Sequence, residues 1–287
     1  MATTPSAEPP PAERRPARQR SEGGSTLVFL LKLAVIVFVF RSFVAAPFSI
    51  PSESMLPRLL IGDYLFIAKP AYGYSRWSLP WGEPPVSGHV SWAVPKRGDV
   101  VVFRGPHGDD ADIIKRVIGL PGDTVQVRRG QVFLNGVGVP KRRIADFVLP
   151  LTPNYDETKC GTRFQSVEAG KPVCRYPQYE ETLPGGRRYD VLDLEDDPIK
   201  DDTRLYRVPA GHLFVMGDNR DNSADSRFPA PDDLMPGEGQ AGMGFVPLDR
   251  VEGKAVVGFF STDGSASWLL PWTWFSAARP RRIGEGF

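Results

Sequence analysis

Histidine and cysteine are scarce in this 287-residue sequence, and its charges almost cancel. The three histidines, His89, His107 and His212, lie in no pattern typical of a Ser-His-Asp triad, which disfavours that kind of hydrolase. Two cysteines and three scattered histidines also disfavour a zinc site, and no metal ion or other cofactor is expected. A net charge of +1 argues against nucleic acid as a partner.

Long apolar runs are equally scarce, since only one segment is apolar over the length of a membrane span. Residues 26–46 have about the length that a helix needs to cross roughly 30 Å of hydrocarbon. The alternative is a cleaved signal peptide, with Val44 and Ala46 as the small residues before the cut. We favour an uncleaved anchor, because Pro47 would occupy the first position after the cut.

Basic residues before this segment predict its orientation. Four arginines lie in residues 14–20, whereas no basic residue lies between the end of the segment and Arg58. The positive-inside rule then predicts a single-pass topology. The N-terminus lies in the cytoplasm, and all residues after Ala46 lie on the outer side of the plasma (inner) membrane. Residues 1–25 are rich in Ala, Pro, Ser and Arg without apolar periodicity, so we predict a disordered cytoplasmic tail.

A serine-containing stretch bounded by prolines follows the apolar segment. Ser54 lies between Pro51 and Pro57, which fix φ locally and end regular structure on either side. A serine held in this way is suited to act as a nucleophile near the membrane. The alternative is that Ser52 and Ser54 only satisfy backbone groups in a turn, and this stretch alone favours that second interpretation.

Two later stretches place charged residues next to apolar strands. Lys115 lies in a β-branched strand pattern, where burial would lower its pKa and produce a neutral amine that can act as a general base. The alternative is a half-exposed strand whose lysine points to water. The second stretch, residues 217–227, is a dense polar loop after the apolar strand His212–Met216.

Together these stretches resemble the type I signal peptidases, membrane-bound serine proteases that remove signal peptides from exported proteins. The similarity covers most of the chain from Arg41 onward and rests on the order and spacing of several motifs. They are Ser-x-Ser-Met-x-Pro at residues 52–57, Gly62-Asp63, Tyr-Gly-Tyr-Ser at residues 72–75, residues 96–103, the stretch around Lys115, residues 218–227 and Gly253-Lys254-Ala255. Arg58 departs from the family, which usually has threonine there.

The resemblance implies a role for individual residues. Ser54 would be the nucleophile and Lys115 the general base, with no histidine required. The Ser52 hydroxyl and the Ser54 backbone N–H would stabilise the oxyanion. Four further positions would support this site: Ser223 as an orienter of the lysine amine, Asp225 and Arg227 as a structural ion pair, and Asp218 in the same loop.

Abundant glycine and proline, 29 of each, predict a turn-rich chain that is mainly β. Strands are expected at residues 63–68, 100–103, 113–118, 124–127, 132–134, 212–216 and 252–260, with turns at Arg129-Gly130 and Asn135-Gly136. We therefore predict an antiparallel β-sheet catalytic domain formed by residues 47–140 and 207–287.

Residues 141–206 interrupt the strand pattern and show no clear periodicity. The family carries a variable second domain at this place, so we interpret them as an insertion. Its acidic run, residues 193–202, is interpreted as a solvated face. Cys160 and Cys174 both lie in the insertion, and a disulfide between them is favoured in an oxidising compartment.

Aromatic residues concentrate in two segments. Residues 72–95 carry Trp77, Trp81 and Trp92, and residues 268–275 are apolar and aromatic but far too short to span a membrane. Each segment either packs on the domain or contacts the surface of a phospholipid bilayer, where tryptophan is a common anchor.

Three functions remain for the chain. The leading one is a membrane-bound serine endopeptidase that cleaves signal peptides from exported preproteins after small-x-small motifs with a Ser-Lys dyad. The second is a self-cleaving Ser-Lys protease of the repressor type, which the membrane anchor disfavours. The third is a catalytically dead, membrane-tethered β binding domain. Calcium binding at residues 221–232 is disfavoured, because Ser226 and Asp232 replace the glycine and glutamate of an EF-hand loop.

Overall fold

The computed structural model describes residues 22–74, 90–91, 93–106, 111–234, 240–267 and 269–287. Among these residues, those up to Val39 form one unit and those from Phe40 to Phe287 form a second unit. The first helix, α1, comprises Glu22–Phe43, and its Thr26–Phe43 part is long and apolar enough to cross a membrane by length and composition. Residues 1–21 of the predicted tail lie outside the described residues.

Helix α1 ends three residues before the predicted end of the span. The Val44 N–H makes the last helical bond, to the Phe40 carbonyl, and Ala45–Ser49 then form strand β1. Pro47 prevents the helix from continuing to the predicted end, because it has no N–H to donate to the Phe43 carbonyl and disfavours helical backbone at Ala46. Helix α1 also begins inside the predicted tail, at Glu22.

A seven-stranded antiparallel sheet forms the centre of the second unit. Its spatial order is β1, β2, β19, β5, β6, β17 and β18. The bounds of the other six strands are Asp63–Ala68 for β2, Val100–Arg104 for β5, Asp112–Gly119 for β6, His212–Met216 for β17, Val246–Pro247 for β18 and Val251–Ser261 for β19. The predicted mainly β, antiparallel fold is therefore confirmed.

Four smaller sheets complete the described strands. The first contains β16 (Tyr206–Arg207), β7 (Thr124–Arg128), β8 (Gln131–Leu134) and β9 (Val137–Gly138). The second contains β10 (Lys141–Arg143), β14 (Gln178–Thr182) and β15 (Arg188–Leu192), and the third β11 (Phe147–Pro150), β13 (Lys171–Tyr176) and β12 (Gln165–Glu168). The last pairs β3 (Gly73–Tyr74) with β4 (Val90–Ser91). Two short helices, α2 (Pro198–Asp201) and α3 (Thr273–Ala277), are also described.

Both predicted hairpin turns are present, because their residues adopt the required left-handed backbone. Arg129 and Gly130 have φ of 47° and 70°, and Asn135 and Gly136 have φ of 52° and 79°. Two consecutive positive φ values match the twist of the flanking strands.

The predicted insertion, residues 141–206, contains regular structure that the sequence did not reveal. It includes the strands β10 to β15. Two of them, β10 and β12, are short and largely exposed on both faces, so they carry no alternating pattern. Its Leu183, Tyr189 and Val191 pack in one cluster with Ile118 of β6 and Phe214 of β17. The insertion thus shares a hydrophobic core with the central sheet, and its status as a separate domain stays a prediction.

Cys160 and Cys174 form a disulfide in the structure, with Cα atoms 5.9 Å apart. Both residues are buried in a cluster that also contains Leu56 and Leu60 from the segment after Ser54, and Leu192 from β15. The disulfide therefore lies under the candidate nucleophile segment as well as in the insertion.

The aromatic segments are described only in part. Trp77, Trp81 and Trp92 lie outside the described residues, and so does Trp268. Around α3, Leu269 and Phe275 are 88% and 87% exposed and Trp272 is 68% exposed. The predicted contact of these segments with a bilayer stays a prediction.

We expect the disulfide to stabilise the whole Phe40–Phe287 unit. Replacing both cysteines by alanine should lower the free energy of unfolding by about 3 kcal/mol, the usual effect of releasing a loop of this size. Denaturant unfolding of the full-length protein in detergent measures this change. Two freely alkylatable thiols in protein that was unfolded without reductant would contradict the disulfide itself.

Candidate active site

Ser54 lies in the connection between β1 and β2, and backbone bonds close this connection at its base. The Ile50 N–H donates to the Asp63 carbonyl at 2.9 Å, and the Gly62 N–H donates to the Ile50 carbonyl at 3.0 Å. Met55 and Leu59 are buried in the cluster that also contains Ile50. Burial of these side chains draws the connection onto the core and leaves Ser54 only 8% exposed.

Lys115 lies on β6, between β5 and β17 in the central sheet. Its side chain is 4% exposed, which excludes the alternative of a lysine that points to water. The Lys115 Nζ donates a hydrogen bond to the Ser54 Oγ at 2.7 Å. The tertiary structure thus joins two residues that are 61 positions apart in the chain.

Burial lowers the pKa of Lys115 to about 8, because the charged amine loses its hydration. The nearby Asp225 and Asp218 carboxylates raise it in part, whereas the Arg227 guanidinium lowers it further. A lysine with this pKa is neutral in about a tenth of the molecules at pH 7 and in about half of them at pH 8. It can therefore accept a proton from the hydroxyl to which it is hydrogen-bonded.

A protein-family model described as signal peptidase, peptidase S26, matches residues 24–260. The chain belongs to this family. Signal peptidase I of Rickettsia typhi (strain ATCC VR-144 / Wilmington) is 32% identical over 235 residues, which cover 79% of this chain and 76% of the relative. Signal peptidase I of Rickettsia massiliae (strain Mtu5) is 33% identical over 251 residues, covering 85% and 80%.

The chain in a crystal structure of a signal peptidase I from Enterococcus faecalis V583 is 27% identical in sequence to this chain. The match covers 57% of this chain and 98% of that chain. Its TM-score is 0.28, a value that shows no common fold by itself. The family match and the Rickettsia relatives show that this chain is a serine peptidase of the S26 family. They also agree with the resemblance in the sequence motifs.

Ser52 and Ser223 lie close to Ser54 in this signal peptidase. The Ser52 and Ser54 hydroxyl oxygens are 3.3 Å apart. A side chain at Gly217 would collide with the Ser223 Oγ and the Ser54 carbonyl oxygen, so Ser223 packs beside the nucleophile segment. The Ser223 Oγ has no hydrogen-bond partner within the described part of the chain, so its expected bond to Lys115 is not made. Its orienting role stays a prediction.

Asp225 and Arg227 form the expected ion pair, and both side chains are buried. The Arg227 Nε donates to Asp225 Oδ1 at 2.9 Å, and the Gly217 N–H donates to Asp225 Oδ2 at 3.0 Å. Burial raises the pKa of Asp225, but the Arg227 guanidinium and these hydrogen bonds outweigh it and hold the pKa below its usual range. Asp225 is therefore a carboxylate at neutral pH.

Arg116 is the supporting residue that sequence reasoning missed. Its guanidinium binds Asp218 through two hydrogen bonds of 2.7 and 2.6 Å, lies 4.4 Å from the Tyr189 ring centre, and also donates to the Gly98 carbonyl at 2.8 Å. The Arg116 and Asp218 side chains are 3% and 1% exposed. A charged residue in an apolar strand requires a partner when it is buried, so Arg116 itself was the available signal.

A cluster of carboxylates lies where the sequence predicted a solvated acidic face. Oxygens of Asp193, Asp201 and Asp221 lie within 4.8 Å of one another, a group that could hold a metal ion. The Lys141 ammonium already pairs with Asp193. Asp201 is only 6% exposed, which corrects the prediction for that residue, and burial raises its pKa to about 6. The fold turns this part of the run inward.

The Arg116–Asp218 pair supports a stability prediction. Asp218→Ala should lower the free energy of unfolding by about 3 to 5 kcal/mol, because it leaves a buried guanidinium without its partner. Denaturant unfolding in detergent measures this change. As a control, Arg163→Ala breaks an exposed pair with Glu195 and should cost less than about 1 kcal/mol. Equal losses in the two variants would contradict the prediction.

Proposed function

We propose that the protein is a membrane-bound serine endopeptidase that cuts signal peptides from exported preproteins with a Ser54–Lys115 dyad. The observation that carries this proposal is the 2.7 Å hydrogen bond from the Lys115 Nζ to the Ser54 Oγ, made by a buried lysine whose pKa is lowered to about 8. A weak nucleophile such as a serine hydroxyl needs an adjacent base, and here the neutral amine supplies it.

The reaction begins when the neutral Lys115 amine takes the Ser54 proton as the Ser54 Oγ attacks the scissile carbonyl. The resulting ammonium then returns the proton to the leaving amine, and an acyl-enzyme remains for water to hydrolyse. The oxyanion is stabilised by the Ser54 backbone N–H and the Ser52 hydroxyl. Among the described residues, none accepts a hydrogen bond from the Ser54 N–H, which supports this role.

The substrate binds as an extended strand. Strand β1 lies at one edge of the seven-stranded sheet, so one of its sides has no partner strand within the described residues. The chain passes directly from β1 into the Ser54 connection. A peptide that adds to such an edge presents alternate side chains to one face. We infer that the residues at the first and third positions before the cut share one face of this strand, where small side chains are required.

The enzyme is a single-pass protein of the plasma (inner) membrane, with α1 as its anchor. The length and composition of Thr26–Phe43 and the arginines in residues 14–20 support an N-terminus in the cytoplasm and a catalytic unit outside. A catalytically dead binding domain is the weaker alternative, because such a domain does not require a buried lysine that is hydrogen-bonded to a serine. A soluble, self-cleaving protease would have no use for α1.

Ser54→Ala and Lys115→Ala should each abolish preprotein cleavage, because nucleophile and base act as one unit. Both variants should remain folded and membrane-bound. The measurement is cleavage of a purified preprotein by the full-length protein in detergent. Lys171→Ala, which changes an exposed lysine of the insertion, is the matched control and should cleave normally. Substantial turnover by either dyad variant would contradict the assignment.

Cleavage should rise with pH through the pKa of Lys115, which lies at about 8, because only the neutral amine can accept the serine proton. Lys115→Arg should be inactive at every pH, since a guanidinium does not give up its proton in this range. Single-turnover rates across the neutral and alkaline range measure the profile. A flat profile under rate-limiting chemistry would contradict the role of the lysine as base.

A further inference from the structure

The segment Arg279–Phe287, here called the C-terminal strap, is fixed to the central sheet. The Gly284 N–H donates to the Gly258 carbonyl at 2.8 Å, and the Gly258 N–H donates to the Glu285 carbonyl at 2.9 Å. Gly258 belongs to β19. The strap therefore continues the hydrogen bonding of the sheet and has a defined position relative to it.

Two arginines of the strap bind the carboxylate at the end of the Ser54 connection. Asp63 is 4% exposed and accepts hydrogen bonds from Arg282 Nη2 at 2.7 Å and from the Ser261 hydroxyl at 2.7 Å. The same carboxylate accepts the Leu60 N–H at 2.8 Å and pairs with Arg279 at 3.4 Å. Asp63 thus links the strap to the backbone of the connection.

The same two guanidinium groups also hold the connection directly. Arg282 Nη2 donates to the Arg58 carbonyl at 2.8 Å, and Arg279 Nη2 donates to the Ile61 carbonyl at 2.7 Å. Each arginine therefore bridges the Asp63 carboxylate and a carbonyl that follows Ser54 by a few residues. A planar guanidinium that makes several such bonds constrains the backbone more than a single hydrogen bond does.

Arg58 makes the reciprocal contact, from the connection to the strap. Its Nη1 pairs with Glu285 Oε1 at 2.8 Å, its Nη2 donates to the Gly286 carbonyl, and its guanidinium lies 5.4 Å from the centre of the Phe287 ring. A threonine at this position would reach none of these groups. The unusual Arg58 of the sequence therefore has its partners in the strap.

The strap also packs against the neighbours of the nucleophile. Phe287 contacts the buried cluster that contains Ile50 and Met55, and Met55 directly follows Ser54. On the other side, β19 pairs with β5, and β5 pairs with β6, where Val101 lies opposite Lys115. A continuous set of contacts thus runs from the Ser54 connection through the strap and the sheet to Lys115.

We propose that the C-terminal strap positions Ser54 against Lys115, with Arg58 and Glu285 as its positioning residues. The inference rests on the proposed dyad and adds the segment that keeps Ser54 at a fixed distance from Lys115. The base lies on a sheet strand, whereas the nucleophile lies on an irregular connection, so their separation depends on what holds that connection. Loosening it lengthens the Ser54–Lys115 contact and leaves the open edge of β1 unchanged for substrate.

The expected signature is a lower kcat at an unchanged KM. Arg58→Thr and Glu285→Gln should each lower kcat about tenfold, because small misplacements of catalytic groups have effects of this size or larger. Arg58→Lys, which keeps the charge, should lose less. Glu285 also pairs with Arg282 at 3.3 Å, so Glu285→Gln weakens two contacts of the strap at once. Arg163→Thr breaks the exposed Arg163–Glu195 pair of the insertion and serves as the matched control.

The measurement is preprotein cleavage by full-length variants in detergent, with kcat expressed per folded molecule. Ser54→Ala is included in the same assay, so that failure of the dyad is seen separately. If Ser54→Ala is inactive while Arg58→Thr and Glu285→Gln keep the kcat of the unaltered protein, the strap proposal is overturned and the dyad stands. A drop in activity that only follows the folded fraction also overturns it.

Discussion

The structure depends on a buried lysine that lies next to a serine and whose pKa is low enough for the amine to lose its proton. Two buried carboxylates, Asp225 and Asp218, act on Lys115 and raise its pKa. Each of them has its own arginine, Arg227 or Arg116, at hydrogen-bonding distance. The paired arginine offsets much of the charge of each carboxylate. Burial therefore remains the largest effect on the pKa of Lys115, and the pKa stays low.

The same constraint explains why charged residues are so common in the interior of this small β domain. A third buried pair, Arg220 with Glu181, joins the polar loop to β14 of the insertion through hydrogen bonds of 2.9 and 2.6 Å. Removing one member of such a pair leaves the other as an uncompensated buried charge, so the two residues of each pair act as a unit. The insertion is thereby attached to the loop that carries Asp218 and Asp225, as well as to the hydrophobic core.

The irregular backbone around Ser54 creates a second requirement. Ser54 lies outside the regular strands, whereas Lys115 is held by neighbours on both sides of β6. Precision at such a site has to come from side chains that hold the connection from outside. Asp63, Arg279 and Arg282 are arranged to do this, and they belong to segments about two hundred residues apart, as the separation of Asp63 and Arg282 shows.

The sequence by itself determined the strands with strong β-branched patterns, the positive-φ hairpin turns, the apolar helix, and Ser54 and Lys115 as candidate site residues. These features depend on local preferences that a short window of sequence contains. It did not reveal the strands of residues 141–206, of which β10 and β12 are short and largely exposed and carry no period. The partners of Arg116, Arg58 and Asp63, and the inward position of Asp201, were decided only by the tertiary structure. Each depends on contacts between distant segments, and a charge in a sequence does not indicate which opposite charge it will meet once both are removed from water.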